Sequence, residues 1–402
     1  MKKAVMYGAG NIGRGFMGQL FCMSQMETVF IDINEVVVNK LNTDKSYPIF
    51  ITKNGEYEEF TVTNARAVNG KVIENVAKEI ATADVMATAV GVNILPYIVK
   101  PIAAGIKARM LENPTELNII ICENKIGADK YLRELISKEL TDEENKFFNE
   151  KIGLVEASIG RMVPATPKEI AEKNPLSVCV EEFCTLPVDK EAFKGEIPDI
   201  KNMLPFAPFE LFIQRKLYMH NMSHALSAYL GYLKDYKFIY EAQNNMAIKF
   251  FALGALIESA TALSIEHKVD IIPLIQHAYD LLGRFENVLL GDTIERVGKD
   301  TIRKLSTNDR MAGAAKLCAK NGIKPVYIAL GLAAGLLFEP EADEAAKEVA
   351  AFTRENGVRK ALEKYSEITD ETIVSMVEKN YEMLKTKGFD DFVFESERLK
   401  GC

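Results

Sequence analysis

The sequence predicts an α/β protein, with a doubly wound parallel sheet in its first half and an all-helical domain in its second. Three observations predict it. Between residues 3 and 157 short apolar runs alternate with helical patterns, the order that builds a buried parallel sheet with helices on both faces. The first strand runs directly into the glycine turn GAGNIG. Beyond residue 209 nearly every window has apolar residues at helical spacing.

Taken in order, residues 3–7 (KAVMY) read as a strand, followed by Gly8, Ala9, Gly10, Asn11, Ile12 and Gly13, a helix over 12–24, and a second strand over 28–31 ending at Asp32. That is the order a dinucleotide site requires. Gly8 makes the tight turn, Gly10 lets the backbone approach a pyrophosphate, and Gly13 lets the helix pack on the sheet. The helix N-terminus offers unpaired N–H groups to phosphates. Asp32 lies where a carboxylate binds ribose hydroxyls and repels a 2′-phosphate, so NAD is expected over NADP. Arg14 either offsets that preference or contacts the pyrophosphate.

Residues 34–41 read as a helix, and 47–51 with 58–62 as a small antiparallel insertion. Residues 72–81 are helical, 85–90 a strand ending at Gly91, 94–110 a helix bearing Pro96 and Pro101, and 117–121 and 153–157 further strands. Ligands of such sheets bind at the carboxyl ends of strands. That places Gly91, Asn93, residues 123–125 and residues 158–161 near cofactor or substrate, with Gly91 on the cofactor side and Asn124 and Arg161 on the substrate side. Residues 176–186 read as one more strand. The loop-rich stretch after it, with Gly195, Pro198, Pro205 and Pro208, sets the expected boundary between a Rossmann-type NAD-binding domain, 1–195, and a helical substrate-binding and catalytic domain, 196–402.

The second domain reads as helices over 209–233, 236–266, 271–285, 312–321, 325–338, 343–356 and 370–386, with Gly331 and Gly335 suited to close packing. Its chemistry is expected at residues 216–224, KLYMHNMSH. On an α-helix, His224 sits about 80° and Asn221 about 140° round from Lys216. One broad face therefore presents a lysine able to act as a base and two donors able to hold a developing alkoxide. His220, at about 40° on that face, reads as a packed or solvent-touching histidine. Arg284, Arg296, Lys299, Arg303, Lys304 and Arg310 form a cluster of cations with acids interspersed. It is either a solvated face with i,i+4 pairs or a phosphate clamp.

The composition, 48% hydrophobic and 26% charged over 402 residues, is that of a globular protein whose core needs no disulfide or metal staple. A net charge of −8 with no basic arm argues against a nucleic-acid partner. The six cysteines, Cys22, Cys122, Cys179, Cys184, Cys318 and Cys402, show no CxxC or histidine spacing, so free thiols in a reducing cytoplasm and no metal are expected. The apolar run before Gly8 is too short for a signal peptide, and the uncharged runs 85–99 and 325–338 are too short to span a bilayer. A cytoplasmic protein without a membrane partner is the expectation. The sequence leaves monomer and homodimer both open.

The Lys216-x4-Asn221-x2-His224 spacing resembles the signature of the polyol-specific long-chain dehydrogenases. GAGNIGRGF (8–16) is similar to the cofactor loop of the family's phosphate-specific members, ICEN (121–124) to its strand-end motif and FKG (193–195) to its interdomain segment. GRFEN (283–287), ERVG (295–298) and RKLS with its following DR (303–310) also resemble the phosphate-specific members. The likeness covers nearly the whole chain. It implies a Rossmann-type domain, a helical C-terminal domain, and a metal-independent, NAD-linked interconversion of D-mannitol 1-phosphate and D-fructose 6-phosphate. Lys216 is then the general base, Asn221 and His224 are the oxygen-binding donors, and Arg296, Arg303 and Lys304 bind the sugar phosphate. Three positions depart from the family pattern: Gly160 replaces an aspartate, the asparagine is followed by Met222 and Ser223, and Lys125 stands where methionine is common. The departures keep open a relative acting on an unphosphorylated polyol or hexuronate.

Overall fold

The structure, a computed structural model, describes residues 1–53 and 55–399. The chain forms two compact units, Met1–Phe212 and Ile213–Cys402. The first begins with β1 (Lys3–Tyr7), a π-helical turn (Gly13–Met17) running into α1 (Gly18–Met23), β2 (Glu27–Asp32) and α2 (Glu35–Asp44). A hairpin of β3 (Tyr47–Lys53) and β4 (Glu56–Val62) follows, then β5 (Ala65–Asn69), α3 (Ile73–Ala81), β6 (Val85–Thr88), α4 (Leu95–Glu112) and β7 (Leu117–Ile121). Helices α5 (Ala128–Ser137) and α6 (Asp142–Lys151) lead to β8 (Ile152–Glu156). The unit ends with α7 (Lys168–Lys173), β9 (Val178–Glu181), β10 (Leu186–Asp189) and β11 (Met203–Phe206).

Six strands form one parallel sheet in the order β5-β2-β1-β6-β7-β8. This is the doubly wound order, with its switch point between β1 and β6. Side chains alternate across it as strand geometry demands. Ala4, Met6 and Phe30 enter the core on one face, and Val5, Val29 and Ile31 the core on the other. Asn34 starts α2 by accepting from the N–H groups of Val36 and Val37, which no earlier carbonyl can satisfy. Pro96 sits in the first turn of α4, where its missing N–H costs nothing, and Pro101 is carried inside the helix.

Two details differ from the sequence reading. The stretch 176–186 is two strands: β9 joins the hairpin in a second sheet, β4-β3-β9, while β10 pairs with β11. The division is set by packing, because Val178 and Val180 lie against Gly15 while Leu186 and Val188 continue into the same core. The β10–β11 pairing also keeps 196–212 with the first unit, so the fold divides beyond residue 195.

The second unit is helical: α8 (Glu210–Arg215), whose last residues belong to it, a π-helical turn (Lys216–Asn221), α9 (Met222–Tyr232), α10 (Ile239–Asn244), α11 (Met246–His267) and α12 (Ile272–Phe285). Then come α13 (Ile294–Gly298), α14 (Thr301–Lys304), α15 (Ala312–Lys320), α16 (Val326–Leu336), α17 (Glu344–Asn356), α18 (Val358–Ser366) and α19 (Glu371–Leu399), the last interrupted at Gly388. The helix expected over 236–266 breaks at Asn245, which leaves helical geometry and caps α11 by accepting from the N–H groups of Ala247 and Ile248. Gly331 and Gly335 bring α16 close to α9. A Cβ on them would sit 3.1 Å from Leu226 and 3.0 Å from Tyr229.

By length and composition α11 is apolar enough to cross a membrane, yet over half of its most apolar window is buried inside the unit. Its Glu258 is buried too and accepts from the N–H groups of Tyr327 and Ile328 at the start of α16. Burial pushes that carboxyl up to about 7 against these bonds. Cys22, Cys122, Cys179, Cys184 and Cys318 are free thiols. Cys402 lies outside the described residues.

Candidate active site

The glycine turn follows β1 directly. Gly8 has φ +100°, and a Cβ there would meet the Ala89 carbonyl oxygen at 2.5 Å. A Cβ on Gly13 would meet the Gly8 carbonyl oxygen at 2.0 Å, so the helix reaches the sheet only because Gly13 has no side chain. Gly10 is exposed, with open space where its Cβ would be. Asn11 is exposed and Ile12 half-buried at the first helical residues. The Ala9 N–H donates to Asp32 Oδ2 at 2.7 Å and the Asn34 N–H to Oδ1 at 2.9 Å. Asp32 therefore fixes the loop while each of its oxygens keeps a further lone pair.

Two arginines lie beside this loop. Arg14 turns inward. It is buried, it donates to the carbonyls of Ala9 and Leu176, and burial lowers its pKa. That removes it as a pyrophosphate contact and as an offset to Asp32. Arg161 is also buried and donates to the carbonyl of Glu181 at 2.9 Å, the carbonyl of Gly15 at 2.9 Å and Gln19 Oε1 at 2.5 Å. These bonds tie the second sheet to the glycine helix, while Arg161 Nη2 has no hydrogen-bond partner. At the end of β6, Gly91 has φ +92°. The buried Glu123 accepts from the Val90 N–H at 2.9 Å and the Gly91 N–H at 2.8 Å, which pins that loop. Asn124, next in the chain, is exposed.

In the second unit, Lys216 and Asn221 are the first and last residues of the π turn, and His224 stands in the first turn of α9. An i→i+5 turn holds about 4.4 residues, roughly 82° each. Asn221 then lies about 50° from Lys216, and His224 about 10° on its other side. In ideal geometry such a π turn draws into an arc of about 60° three groups that an α-helix spreads over about 140°. His224 stacks on Phe285, with ring centroids 4.6 Å apart and planes 10° apart. His220 is buried edge-on against the same ring at 5.7 Å, the packed role expected of it.

His224 Nε2 lies 3.4 Å from Asp292 Oδ2, at the mouth of α13, and has no hydrogen-bond partner. Burial lowers the pKa of His224 in spite of Asp292, so its ring is neutral near pH 7. A ring proton on Nε2 points toward this carboxylate. Burial pushes Asp292 upward, but His224 and Arg296 outweigh it and leave the carboxyl lowered. The contact of Asp292 with His224 is one the sequence reading missed. Its ring partner is far away in the chain, and GDT is an ordinary turn sequence.

The cations expected to clamp phosphate are largely matched with acids. Arg296 bonds Asp292, Arg303 bonds Asp300 and Asp309, and Arg310 bonds Asp309. Lys304 is buried and donates to the Val297 carbonyl, and burial followed by the charges of Arg310 and Arg303 lowers it to about 7. Arg303 is held between two carboxylates. Arg296 and Lys304 remain beside His224 and Asp292, where their charges act on the histidine. Among the described residues no group of three His, Cys, Asp or Glu side chains is placed to hold a metal ion.

Residues 2–202 match the model of the mannitol dehydrogenase Rossmann domain, and residues 209–385 that of the mannitol dehydrogenase C-terminal domain. The chain belongs to the mannitol dehydrogenase family. Among curated relatives it is 36% identical over 388 residues to the mannitol-1-phosphate 5-dehydrogenase of Caldanaerobacter subterraneus subsp. tengcongensis, covering 96% of this chain and 100% of that one. It is 39% identical over 359 residues to that of Brevibacillus brevis, covering 89% and 92%. The fold is shared with a substrate-free D-sorbitol dehydrogenase at a TM-score of 0.81 and 14% identity, covering 96% of this chain and 94% of that one. A Pseudomonas fluorescens mannitol 2-dehydrogenase shares it at a TM-score of 0.73 and 13% identity, covering 99% and 94%.

Within the mannitol dehydrogenase family this chain's departure at Gly160 is not imposed by packing. A Cβ there would meet only the Phe183 ring, at 3.4 Å, an ordinary contact. The family resemblance drawn from Lys216, Asn221 and His224 rested on their spacing alone. The π turn that makes this spacing useful has no local sequence signal.

Proposed function

We propose that this chain interconverts D-mannitol 1-phosphate and D-fructose 6-phosphate with NAD. The observation that carries the reading is the likeness, over nearly the full length of both chains, to mannitol-1-phosphate 5-dehydrogenases. The first unit is the cofactor-binding domain, with Gly8, Ala9, Gly10, Asn11, Ile12, Gly13, Asp32 and Gly91 as its ligands. The residues fit the group: open space over Gly10 admits a pyrophosphate, and Asp32 has lone pairs for ribose hydroxyls. Arg14, turned inward, does not offset the repulsion between Asp32 and a 2′-phosphate, which supports NAD over NADP. Bound NAD supplies the hydride acceptor, and its reduced form the donor.

The second unit is the substrate-binding and catalytic domain. In the oxidation direction neutral Lys216 takes the proton of the hydroxyl being oxidised. Asn221 and His224 donate to that oxygen as negative charge grows on it, each worth a few kcal/mol in sites of this kind. Asp292 positions the histidine ring. Arg296 and Lys304 bind the remaining hydroxyls. In reduction the same groups run in reverse, and protonated Lys216 returns the proton to the alkoxide.

A panel of sugar alcohols, hexuronates and their phosphates, assayed by NADH absorbance, tests this reading. Mannitol 1-phosphate is expected to be the preferred substrate, with free mannitol and hexuronates far behind. Equal oxidation of mannitol and mannitol 1-phosphate would remove the phosphate from the reading. Binding of NADH without turnover of any member would remove the enzyme.

A further inference from the structure

Carboxylates stand at the carboxyl ends of three strands of the parallel sheet, and each grips a neighbouring loop. Asp32, ending β2, accepts from the Ala9 N–H in the loop after β1 at 2.7 Å. Glu123, two residues beyond β7, accepts from the Val90 and Gly91 N–H groups in the loop after β6, at 2.9 and 2.8 Å. Glu156, ending β8, accepts from the Ala128 N–H after β7 at 2.9 Å. In the order β5-β2-β1-β6-β7-β8, each carboxylate belongs to the strand one step further from the switch point than the loop it holds. Glu123 therefore does on the β6 side of the switch point what Asp32 does on the β1 side. The two differ in exposure. Asp32 is half-buried, whereas Glu123 is buried with one backbone N–H on each oxygen. Those bonds answer the cost of burying a carboxylate.

The loop that Glu123 holds is one wall of the glycine turn. The Ala89 N–H donates to the Tyr7 carbonyl at 2.9 Å. A Cβ on Gly8 would meet the Ala89 carbonyl oxygen at 2.5 Å and Val90 Cγ1 at 3.1 Å, so the two loops touch. Gly91 has φ +92° and open space where its Cβ would stand. Its carbonyl accepts from the Ile94 N–H at 2.9 Å as the chain turns towards α4. Both N–H groups of Val90 and Gly91 are taken by Glu123. The face this loop offers to a ligand is therefore bare backbone, and its position is set from behind.

We propose that Glu123 is a positioning residue for NAD: it touches no cofactor atom and acts by fixing Val90 and Gly91 against the Gly8 turn. The proposal rests on the NAD-linked reading above. Glu123→Gln keeps the shape but sets an amide NH2 against one of the two N–H groups, and Glu123→Leu removes both acceptors. The dissociation constant of NADH, read by fluorescence, is expected to rise roughly tenfold in Glu123→Gln, the worth of one charge-assisted bond, and further in Glu123→Leu. At saturating NAD, kcat and the KM for mannitol 1-phosphate are expected to change by less than about threefold, because the lost interaction concerns cofactor binding. Amide hydrogen exchange of the cofactor-free protein should quicken at residues 90–94 and stay unchanged along β6. Glu156→Gln makes the same change one strand further out. It is expected to lower the melting temperature and leave NADH affinity as it was. Circular dichroism checks that each variant is folded, and if Glu123→Leu does not fold, Glu123→Gln decides. Unaltered NADH affinity in the folded Glu123 variants would overturn the proposal. Equal losses of affinity in Glu123→Gln and Glu156→Gln would overturn it too, because they would mark a general loosening of the sheet. The readout is NADH binding. A natural protein that binds NADH but turns over no sugar phosphate would thus defeat the functional reading, while the weakened binding in Glu123→Gln would still establish the positioning role.

Discussion

Among the described residues there are two π-helical turns, and they do opposite things with the same irregularity. Gly13–Met17 is fully buried and built around glycines. Its value lies in what is missing, since Gly13 lies on the Gly8 carbonyl and Gly15 on Val178 and Val180. Lys216–Asn221 carries a lysine, a tyrosine, a histidine and an asparagine, and only Met219 and His220 in it are buried. Its value lies in where side chains are aimed. The first lets backbone approach backbone beside a cofactor loop. The second rotates donors and a base into one narrow arc. A wide helical turn is thus a neutral device, and the side chains on it decide whether it serves close packing or chemistry.

The hardest way to break the second turn is to remove its base. Lys216→Ala is expected to lower kcat about 10²–10⁴-fold, the range of a general base, while NADH binding measured by fluorescence stays unchanged. Near-normal turnover would show that another group takes the proton. The first turn should respond in the reverse sense. In Gly13→Ala the new methyl carbon has no room against the Gly8 carbonyl oxygen. The helix must retreat from the sheet, at a cost of about 1–3 kcal/mol. NADH affinity and thermal stability are expected to fall together, whereas Lys216→Ala moves turnover alone. A Gly13→Ala protein with normal NADH affinity would mean that the close approach does not position the loop.

How far this was legible in the sequence follows from the range of the interactions involved. The strand, glycine turn, helix and Asp32 lie within one βαβ unit, and local patterns report them well. The face of Lys216, Asn221 and His224 was legible as a spacing, but its width was not, because nothing in KLYMHNMSH distinguishes an i→i+5 turn from an i→i+4 one. Long-range partners were invisible. Asp292 meets His224 from a distant turn, and Glu123 pins the Val90–Gly91 loop from the next strand. The partners of Arg161 and Arg303 were invisible for the same reason. A cation at a strand end or in a basic motif looks available until its carbonyl or carboxylate partners are placed. The strand β5 at the sheet edge went unread because ARAVN is short and half polar.

The smallest expected effect concerns stability, and it tests how dry the region beside the second turn is. Lys304 is buried, bonded to the Val297 carbonyl, and lowered from 10.5 to about 7 by burial and by Arg310 and Arg303. In the unfolded chain it keeps its proton up to about 10.4. Between those values the unfolded state binds one more proton than the folded state, so this lysine makes stability rise with pH. Below pH 7 both states are protonated, and the full penalty of a buried ammonium is present. Lys304→Met removes the penalty. The variant is expected to be more stable than the natural protein at pH 6. The gap should narrow by about 1 kcal/mol per pH unit from pH 7 upward, read from urea denaturation midpoints. A gap that stays constant from pH 6 to 10 would mean that Lys304 titrates as an ordinary lysine and that water reaches it. The neutral state of His224, which depends on the same burial, would then have to be measured directly.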